Sequence, residues 1–176
     1  MFEVGSYIVH GLNGVCKVEA IGDLRIPSAP RGKLYYTLAP CGDSESRLFV
    51  PVEHPKVAMR SIMKKEDALE LLKSIGGLPE MESADERSLE TRYKEMLKGT
   101  DPRELLCILK TIYHRMEQRR NAGRKLTASD ERFFRAAGEL LYGELAVALG
   151  TDAQAAERLV MEQLARPGEA LHESSR

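Results

Sequence analysis

The chain changes its sequence pattern near residue 52, from short strand-like runs to amphipathic helical segments, and this change constrains the fold most. Before it, β-branched and aromatic residues form four runs separated by glycine- and proline-containing turns. The runs are residues 7–10, 15–21, 33–38 and 47–51. Beyond residue 60, apolar residues recur at helical spacing in about five segments. Because strands and helices do not alternate, the sequence predicts an α+β chain of two domains.

The predicted domains differ in architecture. Several short strands within about 50 residues favour a small β-barrel, which limits exposed sheet edges, over residues 1–54. We predict an all-α domain of about five helices over residues 55–165. Its fourth helix opens at Thr127 with a sequence that resembles a capping box. The polar residues 166–176 are expected to fray.

Glu144 lies on the apolar stripe of this fourth helix. An inward carboxylate can be a catalytic acid, but it is more often a structural partner of an arginine. We therefore expect Glu144 to pair with an arginine.

Sequence motifs for catalysis and for metal or cofactor binding are absent. The Gly-Leu-Asn-Gly turn at residues 11–14 lacks the Gly-Lys-Ser/Thr that completes a phosphate loop. The four histidines and three cysteines show no metal-ligand spacing. The sequence therefore predicts a protein that is not an enzyme, with no cofactor, metal or small-molecule substrate.

Neither a signal peptide nor a run of about 20 apolar residues is present. We expect a cytoplasmic protein with reduced thiols and no membrane contact.

The formal net charge of -1 conceals a strongly uneven distribution. Residues 87–135 carry thirteen Lys/Arg against seven Asp/Glu, whereas residues 61–86 carry three against seven. A basic segment of this kind can form a local patch that attracts a polyanion. The alternative is that its charges are spread over solvated helix faces.

A longer motif in the N-terminal segment points to a known family. It reads Phe2-x-Val4-Gly5-x-x-Ile8-Val9-His10-x-x-x-Gly14-Val15-x-x-Val18-x-x-Ile21. It is followed by Val50-Pro51, Arg60, Arg92-Tyr93-Lys94, Leu126-Thr127 and Gly143-Glu144-Leu145-Ala146. With these features the chain resembles the CarD/CdnL family of bacterial transcription regulators over residues 1–164. The N-terminal motif alone is shared with the transcription-repair coupling factor, but no helicase motif follows it here.

The resemblance implies a Tudor-like N-terminal barrel that binds the RNA polymerase β subunit through an exposed strand edge. It also implies a helical domain that contacts promoter DNA at the upstream edge of the bubble and stabilises the open complex. The expected partners are the β subunit and promoter DNA, and we expect the free protein to be monomeric.

The resemblance assigns polymerase contact to three residues. Arg25 matches a polymerase-contacting arginine of many members. A second arginine usually stands just before the closing Val-Pro, where this chain has Phe49. Arg47, two residues earlier on the same strand face, is the candidate replacement. Both arginines also fit ordinary solvated positions.

Many family members insert a tryptophan into the DNA, but this chain has no tryptophan and carries Leu89 at that place. Leucine can wedge between base steps, although it lacks the stacking area and N–H of an indole. Alternatively, Leu89 packs against Tyr93, which lies four residues further along the same helix face.

The neighbouring basic residues are suited to phosphate contact independently of the family. Arg119 and Arg120 also lie near the inward stripe of their helix, where their stems could cover the core. The complete set of predicted DNA-contacting residues is Leu89, Arg92, Lys94, Arg115, Arg119, Arg120, Arg124 and Lys125.

The missing tryptophan supports an alternative function, a polymerase adaptor that makes no direct DNA contact. A methyl-lysine reader with a cage of Tyr35, Tyr36 and Phe49 is disfavoured, because adjacent strand residues point to opposite faces.

Overall fold

The structure is a computed structural model that describes residues 1–25, 27–28, 30–82 and 85–166. Within these residues an antiparallel five-stranded sheet precedes five α-helices, which confirms the predicted α+β class. The strands are β1 (Tyr7–His10), β2 (Val15–Asp23), β3 (Leu34–Pro40), β4 (Leu48–Pro51) and β5 (Met59–Ser61). The helices are α1 (Lys65–Ser74), α2 (Glu86–Gly99), α3 (Pro102–Asn121), α4 (Ala128–Leu149) and α5 (Ala153–Ala165). The predicted frayed tail lies outside the described residues, apart from Arg166.

The turn between β1 and β2 depends on two glycines with positive φ. Gly11 has φ 48° and Gly14 has φ 67°, in a region that residues with a Cβ rarely adopt. A Cβ on Gly11 would also lie 2.4 Å from Cγ1 of Val57. The turn sets the β1–β2 register, in which Val9 is opposite Val15.

The sheet buries one set of alternating side chains. Its core consists of Ile8, Cys16, Val18, Tyr36, Leu38 and Val50. Burial alternates with exposure along parts of β2 and β3, as expected for strands with one covered face.

The sheet is not closed, so the predicted Tudor-like barrel is not confirmed. Its strand order is β4-β3-β2-β1-β5, which leaves β4 and β5 as edges in the part of the chain that the structure describes. Closure would require pairing between these two edge strands.

β5 lies beyond residue 54, where we placed the end of the N-terminal domain. It pairs with β1, and Val9 is opposite Arg60. The sheet therefore extends to Ser61, and the division of the chain into two domains remains a prediction.

The helices have defined N-caps and share a large apolar core. Thr127 accepts a hydrogen bond from the Asp130 N–H at 3.1 Å, which is one of the two bonds of the predicted capping box. Asp101 caps α3 just before Pro102, the first residue of that helix. The core combines residues from all five helices, including Leu72, Tyr93, Leu109, Leu141 and Val160. Among the described residues, no helix is both long enough and apolar enough to span a bilayer.

Candidate polymerase-binding edge and basic surface

β4 forms one edge of the sheet and leaves part of its backbone free. Just beyond the strand, the Val52 N–H donates to the Leu34 carbonyl at 2.9 Å. Hydrogen-bonded positions alternate in an antiparallel ladder, so Val50 turns its backbone groups towards β3 and Phe49 turns its own outward. Pro51, which has no N–H, occupies the next outward position. The edge therefore presents the Phe49 N–H and C=O to an added strand.

The side chains of Arg47 and Phe49 lie beside this edge. Phe49 is 47% exposed, whereas the next residue, Val50, is buried. Arg47 forms an ion pair with Glu19 on β2, with 2.6 Å between Nε and Oε2. Its Nη1 also donates to the Ser44 carbonyl at 2.9 Å. The guanidinium is thus drawn across β3 towards β2, on the exposed face of the sheet, and a partner carboxylate would compete with Glu19 for it.

Arg25 is exposed but lies at a different end of the sheet. It follows β2 by two residues, and the last residue of β2, Asp23, is opposite Leu34. Arg47 precedes Leu48, which is opposite Leu38. Leu34 and Leu38 are four positions apart on β3, so the two ends are about 13 Å from each other along the strand. The structure brings Arg47 and Phe49 together but does not bring Arg25 to them.

Leu89 lies in the helical core. Its side chain is 3% exposed and belongs to the same buried cluster as Tyr93 and Phe133. The structure thus favours the packing alternative over a DNA wedge, because a wedge requires an exposed side chain.

Arg115 is also committed to contacts within the protein. Its Nε lies 2.9 Å from Oδ2 of Asp130, which is buried near the start of α4. Its Nη2 donates at 2.8 Å to both carboxylate oxygens of Glu86, at the start of α2. This arginine therefore ties α3 to two other helices, and DNA would have to replace an existing ion-pair network.

The remaining basic residues of α3 and the following turn form a surface that we call the basic turn. It consists of Arg119, Arg120, Arg124 and Lys125. Arg120 pairs with Glu117 at 3.1 Å, an exposed contact that contributes little to stability. Arg119 makes a weak contact of 3.4 Å with the Lys125 carbonyl, and Arg124 and Lys125 are exposed.

Arg92 and Lys94 are exposed on either side of the buried Tyr93. Two positions along an α-helix correspond to a rotation of about 200°, so the two side chains leave α2 in nearly opposite directions. Arg92 donates to the Glu82 carbonyl at 3.2 Å. The structure therefore does not bring the two residues together on one face.

The expected pairing of Glu144 is confirmed. Its carboxylate, 2% exposed, accepts two hydrogen bonds from Arg60 of β5 and one from the Met63 N–H. Arg60 also donates to the Thr100 carbonyl, at the end of α2. Hydrogen bonding to Glu144 raises the pKa of the Arg60 guanidinium. Sequence reasoning predicted the type of partner but not Arg60 itself, because the two residues are far apart along the chain.

An edge strand with free backbone groups, such as β4, is the feature that protein-interaction modules use when they bind a partner by strand addition. Residues 2–63 match the CarD-like/TRCF RID domain family. The match is consistent with a CarD-like protein, as the sequence motif predicted, and it supports a transcription-related role in RNA polymerase binding. The family is one of protein interaction rather than catalysis.

Proposed function

We propose that the chain binds the RNA polymerase β subunit through β4 and stabilises the promoter open complex through DNA contacts of its helical part. The free backbone of β4, within a polymerase-interacting domain, carries the proposal. An added strand gains its affinity from main-chain hydrogen bonds and its specificity from side chains beside the edge. Phe49 and Arg47 supply such side chains here, and Arg25 supplies a more distant contact.

The proposed DNA surface is narrower than the set of residues suggested by the sequence. Arg115 is engaged by two carboxylates and Leu89 is buried, so neither side chain is free to meet DNA in this structure. The basic turn, with Arg92 and Lys94, supplies phosphate contacts that do not depend on sequence. Its exposed cations are the side chains that we expect to lengthen the lifetime of the open complex.

The polymerase contact is tested by pull-down of the full chain against the isolated lobe of the β subunit. Binding at low micromolar concentration is expected. We compare Phe49→Ala, which removes the side chain, with Phe49→Pro, which also removes the outward N–H. Strand addition predicts that the proline variant binds more weakly than the alanine variant, provided that both retain the native circular dichroism spectrum. Equal binding by the two variants would exclude a role for that N–H.

The DNA contact is tested by the lifetime of open complexes formed with native protein and with a charge-reversed basic turn, Arg120→Glu/Arg124→Glu/Lys125→Glu. The variant should shorten the lifetime and still bind polymerase. Lys64→Glu/Lys65→Glu/Lys73→Glu, three exposed charge reversals in and just before α1, is the matched control because it changes the net charge by the same amount.

The alternative is an adaptor that binds polymerase without touching DNA, and the burial of Leu89 favours it. In that case, open-complex lifetimes with the native and charge-reversed proteins would be the same at every salt concentration. A direct phosphate contact predicts instead that the difference shrinks as salt is raised.

A further inference from the structure

Glu19 lies at an irregularity in β2. Val18 and Ala20 are opposite consecutive residues of β3, so Glu19 between them is an extra residue without a partner there. Val18 is buried, whereas Glu19 and Ala20 are both exposed. A β-bulge of this kind redirects a side chain relative to a regular strand. Here it places the Glu19 carboxylate on the exposed face of the sheet.

Arg47 is held by acceptors within the protein at two of its three guanidinium nitrogens. Its Nε lies 2.6 Å from Oε2 of Glu19. Its Nη1 donates to the carbonyls of Ser44 and Ser46, at 2.9 and 2.8 Å. The side chains of Arg47 and Glu19 are 37% and 36% exposed, so a binding partner can reach both. An exposed ion pair of this kind is weak enough to be exchanged for another.

The ion pair draws the guanidinium away from the edge that the proposed partner strand would join. β3 lies between β4 and β2 in the sheet, so a guanidinium that contacts Glu19 points in the direction opposite to the free edge of β4. Neighbouring strands are about 4.8 Å apart, and an added strand would lie at that distance on the other side of β4. To meet a side chain of the added strand, Arg47 has to leave Glu19.

We propose that Glu19 competes with the polymerase for Arg47 and thereby limits the affinity of the β4 edge, an inference that rests on the proposed function. Arginine donates hydrogen bonds and accepts none, and its strongest partners are carboxylates. The partner group is therefore an acidic side chain beside the added strand, which gains the guanidinium only by displacing the carboxylate of Glu19. Glu19 is a specificity-determining residue that acts on binding through Arg47.

The test is isothermal titration calorimetry of the full chain with the isolated lobe of the β subunit. Glu19→Gln keeps the size of the side chain and removes its charge, so it should bind about two- to fivefold more tightly than the native protein. A gain in affinity is informative because damage to the fold would produce a loss. Arg47→Met should bind more weakly than the native protein, and Glu19→Gln/Arg47→Met should bind no more tightly than Arg47→Met alone.

Glu45→Gln is the matched control for the change in charge. Glu45 is exposed in the turn between β3 and β4, two positions before Arg47. Among the described residues it forms no ion pair. The substitution removes the same negative charge close to the same edge but does not release Arg47, so the affinity should be nearly unchanged.

Three results would overturn the proposal although the native protein binds the lobe. One is equal or weaker binding by Glu19→Gln. Another is an equal gain in affinity with Glu45→Gln, which would show a general effect of negative charge. The third is a gain from Glu19→Gln that persists in the Arg47→Met background. If the native protein did not bind at low micromolar concentration, the proposed function itself would be rejected, and this inference with it.

Discussion

Arg60 and Glu144, 84 positions apart in the sequence, are joined by two hydrogen bonds of 2.6 Å and 2.8 Å between guanidinium and carboxylate. The pair connects β5 to α4, and Arg60 also reaches the end of α2. The arginine is 34% exposed at its side chain, whereas Glu144 is almost fully buried. The two members should therefore respond differently to substitution.

Arg60→Met should lower the free energy of unfolding by about 3 kcal/mol, because it leaves a buried carboxylate without a counter-charge. Glu144→Gln should cost about 1 kcal/mol, since the partly exposed guanidinium of Arg60 can still be hydrated. Urea denaturation measures both losses. In the double variant Arg60→Met/Glu144→Leu, stability should recover relative to Arg60→Met alone. Native stability in Arg60→Met would contradict the role assigned to the pair.

Local sequence signals predicted most of the helical part. The cap at Thr127 and the apolar spacing of α2 and α4 depend on residues within a few positions of one another. Such local patterns can be recognised in the sequence alone. The spacing also offered Leu89 as a packing partner for Tyr93, and both residues are in the core. Likewise, the position of Glu144 on an apolar stripe indicated that it required a cationic partner.

Features that depend on distant residues could not be predicted in the same way. β5 has only three residues, Met59–Ser61, and lacks the β-branched alternation that marks a strand. Whether the sheet closes depends on pairing between its two edge strands, β4 and β5. The residues of either strand alone do not indicate whether the two strands pair. Arg115 looked like a DNA contact because basic residues surround it, but its carboxylate partners lie 15 and 29 positions away.

His10 should make the protein less stable in mild acid. It is buried in β1, and Nδ2 of Asn13 lies 3.0 Å from its Nδ1, which suits a neutral ring accepting a hydrogen bond. Burial lowers the pKa of His10 below its ordinary value of 6.5. As pH falls, His10 therefore binds a proton in the unfolded chain at a higher pH than it does in the folded protein. The free energy of unfolding decreases below about pH 6.5 for this reason.

Urea denaturation at about pH 7.5 and 5.5 checks this dependence on either side of the unperturbed histidine pKa. His10→Gln cannot titrate, so its stability should fall less between the two values than that of the native protein. If both proteins lost stability equally, His10 would not be the group responsible.

Lys110 should stabilise the end of α1. Its ammonium donates to the carbonyls of Ile75, Gly76 and Leu78, at 3.1, 2.9 and 2.6 Å. Lys110→Met keeps the apolar stem but leaves these carbonyls without their donor, which should cost about 2 kcal/mol. Hydrogen exchange should show faster exchange of amides around residues 75–78. Lys73→Met, an exposed lysine on α1, should change neither quantity and serves as the control.

Arg115 and Arg120 were both predicted to contact DNA, but their substitution should have different effects. Loss of Arg115 should mainly lower stability, whereas loss of Arg120 should mainly weaken DNA binding. Arg115→Ala leaves the buried Asp130 carboxylate without its guanidinium, so the free energy of unfolding should fall by about 2 kcal/mol. Arg120→Ala removes an exposed pair with Glu117 and should change stability by less than about 0.5 kcal/mol.

DNA binding by these two variants should show the reverse order. Arg120→Ala should weaken the affinity for duplex DNA at low salt and reduce the salt dependence of binding, because it removes a cation free to meet phosphate. Arg115→Ala, measured at a temperature where it remains folded, should bind DNA nearly as well as the native protein. Fluorescence anisotropy with a labelled duplex at several salt concentrations provides the comparison. A larger loss of DNA affinity in Arg115→Ala than in Arg120→Ala would mean that Arg115 leaves Asp130 and Glu86 to contact DNA, and the proposed DNA surface would then have to include it.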